Sequence, residues 1–209
     1  MVWAVMTRMT HNIIAIDGIN GMHVKECTNF ISKLFNDDVE VTTFHFPNYD
    51  TATGKLIKQY LEEKVELEPF VVHTLFALNR FERKKEIIDK SFSDRQKRIA
   101  IIDRYFNSGY CYAQAAGLAP IEMSTLQNID MHLPFPRYMI YLQSEPNPNK
   151  MNRFEQDLDY LKKVKSSFKT ASTVYGWKKL ERFEYRIKGQ LNLKGLIKDQ
   201  FPTLLNSSK

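Results

Sequence analysis

Cysteine is scarce in this chain of 209 residues: there are two, Cys27 and Cys111. They lie far apart, with no CxxC and no histidine at metal spacing, which excludes a disulfide-stapled fold and reads as reduced thiols in an intracellular compartment. The five histidines, at 11, 23, 45, 73 and 132, form no HExxH and no paired ligand set, so no metal site is expected. Long apolar runs are also missing. Runs such as Ile13 to Ile16, Ile99 to Ile102 and Tyr138 to Leu142 fall far short of the ~20 residues of a membrane helix, which excludes a span. No internal repeat or low-complexity tract is visible. Residues 1–12 lack both an acid and the apolar stretch of a secretory signal, and read as an N-terminal extension. Whether the chain is mitochondrial or cytoplasmic stays open.

What is present is globular. Hydrophobic residues make up 43% and charged residues 26%, and the length suits one domain over residues 13–209. Thirty Lys and Arg against twenty-four Asp and Glu leave +6, which favours an anionic or acidic neighbour. The basic clusters (Arg83 to Lys85, Arg95 to Arg98, Lys162-Lys163, Lys178-Lys179) are dispersed among acids, so they read as solvated faces rather than a nucleic-acid stripe.

The periodicities alternate. Asn12 to Asp17 (NIIAID), Val39 to Phe46, Arg98 to Asp103 (RIAIID) and Tyr138 to Leu142 read as strands, the first and third being buried runs that end in an acid. Helical spacing occupies Lys25 to Phe35, Gly54 to Glu63, Pro69 to Lys90, Asn107 to Leu118 and Arg153 to Lys169. Strand followed by helix argues for an α/β fold, a central parallel sheet with helices on both faces in three layers. Ligands of such sheets sit at the carboxyl ends of the strands, here Asp17-Gly18, His45 to Tyr49 and Asp103-Arg104.

Those ends carry motifs. Asp103-Arg104-Tyr105, Ser108-Gly109 and Tyr112 resemble the DRYxxSGxxY segment of thymidylate kinases. Phe46-Pro47 through Thr51, Gly54 and Leu56-Ile57 to Tyr60-Leu61 resembles that family's FPxRxTxxGxLIxxYL, and Leu75 to Glu82 its LLFxANRWE. Asn152 to Gln156 with Leu158 to Val164 is similar to the segment that follows the family's lid. Four motifs in order cover most of the chain. The resemblance implies a P-loop NTPase-like nucleoside monophosphate kinase fold, with dTMP as a possible ligand, a possible homodimer, and ATP and Mg²⁺ as cofactors if the chain is active. It implies a site built from Gly18, Lys25, Phe46, Phe76, Arg80, Arg104, Ser108, Gly109, Tyr112 and Arg153, with Asp103 and Arg104 as vestigial catalytic candidates.

The chemistry of these residues suits a monophosphate. Arg80, Arg104 and Arg153 are expected to bind phosphate through bidentate guanidinium bonds, Phe76 and Tyr112 to wall a base, and Asp103 to hold a magnesium ion or orient the acceptor. The plainer reading makes Arg80 and Arg104 buried arginines paired with Asp17, Asp103 or Glu82, and Phe76 a core residue.

The phosphate-cradling loop departs from GxxxxGK[ST]. With one inserted residue, Gly18 and Lys25 remain, but the second glycine becomes Val24 and the magnesium-binding hydroxyl becomes Glu26. A carboxylate held ~4 Å from a phosphate charge costs on the order of 4 kcal/mol at an effective dielectric near 20. Tyr49 replaces the arginine of FPxR, Arg137 stands where the family has an aspartate, and the lid region 144–152 lacks the family's arginines. The expectation is a thymidylate-kinase-like pseudokinase kept as a nucleotide-binding protein or as an accessory subunit of a larger complex. Segments 1–12, the lid and Lys188 to Lys209 would be its contact regions. The alternative is an active kinase that transfers phosphate from ATP to dTMP.

Overall fold

The computed structural model describes residues 11–19, 21–92, 97–143, 157–176, 178–181, 194–195, 197–199 and 201, without the side chains of 21–23 and 178–181. Five parallel strands form one sheet in the order β2-β3-β1-β4-β5: β1 (Ile13–Gly18), β2 (Glu40–His45), β3 (Arg98–Asp103), β4 (Tyr138–Gln143) and β5 (Lys178–Glu181). Four of these strands match the sequence reading. β5 was not foreseen, because Lys178-Lys179-Leu180-Glu181 carries no apolar alternation.

Both faces of the central strands are covered, which is why β1 and β3 read as unbroken apolar runs. On one face Ile14, Ile16, Ile99, Ile101 and Ile140 pack against Val24, Cys27 and Ile31 of α1 (Gly21–Ser32). On the other face Ile13, Ala15, Ala100 and Ile102 pack against Ile87, Tyr105 and Phe106.

The long helix expected over Pro69 to Lys90 is two: α3 (Pro69–Glu82) and α4 (Lys84–Ser91). Arg83 breaks them, with φ −103° and ψ 5°, and its amide donates back to the Arg80 and Phe81 carbonyls. α2 (Ala52–Leu61) is capped by the Thr51 hydroxyl, which accepts from the Gly54 amide. α5 (Phe106–Ala115) is followed by α6 (Pro120–Asp130), absent from the sequence reading, and α7 (Leu158–Val174) starts on an Asp157 cap. His11 and Asn12, counted above with the N-terminal extension, are buried at the foot of the sheet. His11 bonds to Ser91, and the Asn12 amide donates to the Ser91 carbonyl. The lid, Arg153, residues 1–10 and most of the C-terminal stretch lie outside the described residues.

Two turns at the carboxyl end of the sheet are shaped by close packing. Gly54 lies so close to the Asn48 carbonyl that an added Cβ would overlap it. Arg104, just past β3, holds φ at +63°, the left-handed region that side chains with a Cβ disfavour. Its amide donates to the Ile16 carbonyl, which hangs the turn on the neighbouring strand. Gly54→Ala is therefore expected to lower stability by about 1–3 kcal/mol in denaturant titration; an unchanged midpoint would mean that the loop yields. Arg104→Gly should be more stable than Arg104→Ala by about 1 kcal/mol, and equal stabilities would show that the backbone there carries no strain.

Candidate active-site cleft

The β1 end organises the site. Asp17 is fully buried, and its carboxylate accepts from the amides of Tyr105 and Ser108, the Asn107 side chain and the Ser108 hydroxyl, the last at 2.5 Å. Burial pushes the Asp17 carboxyl above the usual carboxylate range, while these donors and Arg104 pull it back. The arrangement caps α5 from a different strand, because the free amides of a helix start need an acceptor. Ser108, expected to bind nucleotide, spends its hydroxyl on this cap.

The loop after β2 is held by one side chain of α3. Asn79 is fully buried. Its Oδ1 accepts from the Asn48 amide at 2.7 Å, and its Nδ2 donates to the Asn48 carbonyl and the hydroxyls of Thr51 and Thr53. The loop from Phe46 to Thr51 is thereby closed against α3.

Arg80, one residue further along, is paired with Asp130 at the end of α6. Nε and Nη2 donate to both carboxylate oxygens at 2.8–3.1 Å, and both side chains are buried. Burial pushes the Asp130 carboxyl upward and the guanidinium opposes that rise. The sequence reading foresaw a buried pairing for Arg80 but not this partner, since Asp130 sits at a helix end that had not been recognised. Gly109 explains itself against the same group: a Cβ there would stand 2.7 Å from Arg80 Nη2. Glycine lets the guanidinium lie against α5.

Between these elements lies a cleft lined by Phe46, Pro47, Tyr49, Leu61, His73, Phe76, Arg80, Arg104, Tyr105, Ser108, Gly109 and Tyr112. Seven of the ten residues expected to bind nucleotide meet there: Phe46, Phe76, Arg80, Arg104, Ser108, Gly109 and Tyr112. Arg104 Nη2 donates to the Ile19 carbonyl at 2.8 Å, and the guanidinium stands 5.8 Å from the Tyr112 ring centre. Phe76, half-buried, belongs to the wall rather than to the sheet core. The cavity measures about 80 Å³, below the roughly 300–1,000 Å³ of drug-sized pockets. A larger cavity of about 510 Å³ is lined by Phe135 to Met139, Tyr110 and Tyr175. It holds none of the expected residues, and the site is assigned by its chemistry rather than by volume.

Gly18, Lys25 and Asp103 do not line the cleft. Gly18 is confined by packing, since a Cβ would stand 2.8 Å from the Leu142 carbonyl and 3.2 Å from Val24. The segment expected as a phosphate-cradling loop ahead of a helix at Lys25 is instead helical from Gly21, with Val24 in the core and Lys25 exposed on α1. Val24 therefore faces no demand for positive φ. Asp103 accepts from His45 Nδ1 at 2.8 Å, across paired strand ends. Arg153 lies outside the described residues. Sequence reasoning missed Asn79, Asp130 and His73 as site residues. Asn79 and His73 had a signal, polar side chains on an otherwise apolar helical stripe; Asp130 had none, and His45, at a strand end already singled out, was missed only as the partner of Asp103.

His73 lines the cleft with its ring centre 6.4 Å from that of Phe76. Burial, aided by Arg80, lowers it to about 4. It is therefore neutral in the fold wherever an unfolded histidine, titrating near 6.5, takes up a proton. The unfolded chain binds more protons across that window, so His73 makes stability fall as pH drops from about 6.5 towards 4. Melting curves from pH 7 to 5 should show a smaller loss for His73→Asn than for the parent; equal losses would contradict the buried neutral ring.

Comparisons with known proteins point to one family. The thymidylate kinase family model matches residues 16–187. The chain is 32% identical over 136 residues to a thymidylate kinase of Schizosaccharomyces pombe, covering 64% of this chain and 61% of that protein. It is 36% identical over 121 residues to a putative thymidylate kinase of invertebrate iridescent virus 6, covering 57% and 54%. The matched segment thus spans less than two thirds of either relative. The fold is similar to that of thymidylate kinase from Candida albicans, with a TM-score of 0.71 at 22% identity over 96% of this chain and 97% of that one. The enzyme from Ehrlichia chaffeensis aligns with a TM-score of 0.58 at 15% identity over 81% and 86%. With the family model matched over residues 16–187, most of this chain, the chain belongs to the thymidylate kinase family.

Proposed function

We propose that this protein binds a thymidine nucleotide in the cleft and transfers phosphate from ATP poorly or not at all, acting as a nucleotide-binding protein or accessory subunit. The observation that carries the reading is the split of the expected residues. The acceptor-side set, Phe46, Phe76, Arg80, Arg104 and Tyr112, meets around one cleft, whereas Lys25 stands exposed on α1 with Val24 buried beside it and Glu26 next in line. Phosphoryl transfer depends on positioned cations and amides around the moving phosphate, and Glu26 brings the wrong sign of charge to that side. At the donor loop Glu26 replaces the hydroxyl that ligates magnesium in GxxxxGK[ST]; its carboxylate is an oxygen donor for the cation but repels the triphosphate that the cation accompanies.

The second reading, an active dTMP kinase, is favoured by the names and the 32% identity of the relatives above. One pair of measurements separates the two. Calorimetric titration with Mg-ATP is expected to show no saturation in the micromolar range, and an assay of ATP with dTMP no turnover above background. Tight ATP binding with measurable dTDP formation would overturn the pseudokinase and establish the enzyme. A Val24→Gly, Glu26→Ser double variant should stay inactive, because the lid sequence also lacks arginines.

A further inference from the structure

The cleft's charge balance narrows its ligand beyond the nucleotide reading on which this inference rests. A phosphomonoester carries close to two negative charges at neutral pH, and taking it out of water requires more than one uncommitted cation nearby. Only two of the twelve described lining residues are charged, Arg80 and Arg104. The charge of Arg80 is matched at 2.8–3.1 Å by Asp130, whose carboxylate is itself buried and repels an approaching phosphate. Arg104 already donates to the Ile19 carbonyl and lies by the Tyr112 ring. At the rim, 43% exposed, stands Tyr49, which supplies a ring and no charge. The rest of the wall is uncharged and largely aromatic, with Phe46, Phe76, Tyr105, Tyr112 and the neutral His73 beside Pro47, Leu61, Ser108 and Gly109. Such a surface rewards a planar base and a sugar, since every base presents a face for stacking.

We propose that the cleft recognises a pyrimidine deoxynucleoside chiefly through its base and sugar, and that the 5′-phosphate contributes little to affinity. Tyr49 then acts as a specificity-determining residue, the place at the rim where a cation would turn a nucleoside site into a nucleotide site.

Titration calorimetry of the full chain with thymidine, dTMP and inorganic phosphate tests this. Thymidine is expected to bind within 10-fold of dTMP, with no saturable binding of inorganic phosphate. dTMP binding more than 10-fold tighter than thymidine would overturn the inference while leaving the nucleotide-site reading intact. Binding of neither would overturn both. Tyr49→Arg, at an exposed position that melting curves can check for folding, should raise the dTMP preference at least 10-fold; an unchanged ratio contradicts the role given to Tyr49.

Discussion

The buried ion pair between Arg80 and Asp130 is the constraint around which the cleft is arranged. It ties α3 to α6 and lies against α5 where Gly109 leaves room, so three helices meet on one guanidinium. Buried pairs of this kind add little net stability when intact, but removing one partner strands a charge at a cost of about 3–5 kcal/mol. The pair therefore fixes geometry more than it strengthens the fold. It also decides electrostatics: an arginine that looks like a phosphate receptor in the sequence is a neutralised wall element in the structure.

A second carboxylate does comparable work from the sheet. Asp17 at the tip of β1 gathers the Tyr105 and Ser108 amides and the Asn107 side chain, setting where α5 begins and which way Arg104 and Tyr112 face. Asn79 closes the opposite side through the Phe46 to Thr51 loop. These three polar anchors lie inside an otherwise aromatic and aliphatic environment, where a satisfied network rigidifies and a broken one is costly. The α1 side of the sheet is built differently. There Val24 is part of the core and Gly18 is held by Leu142, so packing accounts for both residues without a ligand.

Much of this was legible in the sequence. Buried parallel strands announce themselves as short apolar runs, and Ile13 to Asp17 and Ile99 to Asp103 did so without ambiguity. Seven of the residues that the motifs single out line one cleft. What escaped was of two kinds. β5 and the break at Arg83 depend on neighbours distant in sequence, so neither has a local periodic signal. The partners Asp130 and His45 escaped because pairing across elements leaves no spacing to read. The helical start at Gly21 was hidden by a glycine-containing segment that resembles a loop.

The separation between a kept acceptor cleft and an altered donor side is the central claim, and amide hydrogen exchange of the full chain tests it most directly. Thymidine is expected to slow exchange in segments 46–51, 73–80 and 104–112, and Mg-ATP to leave segment 18–28 unchanged. Protection of 18–28 by Mg-ATP, or no protection of the cleft segments by thymidine, would contradict the account.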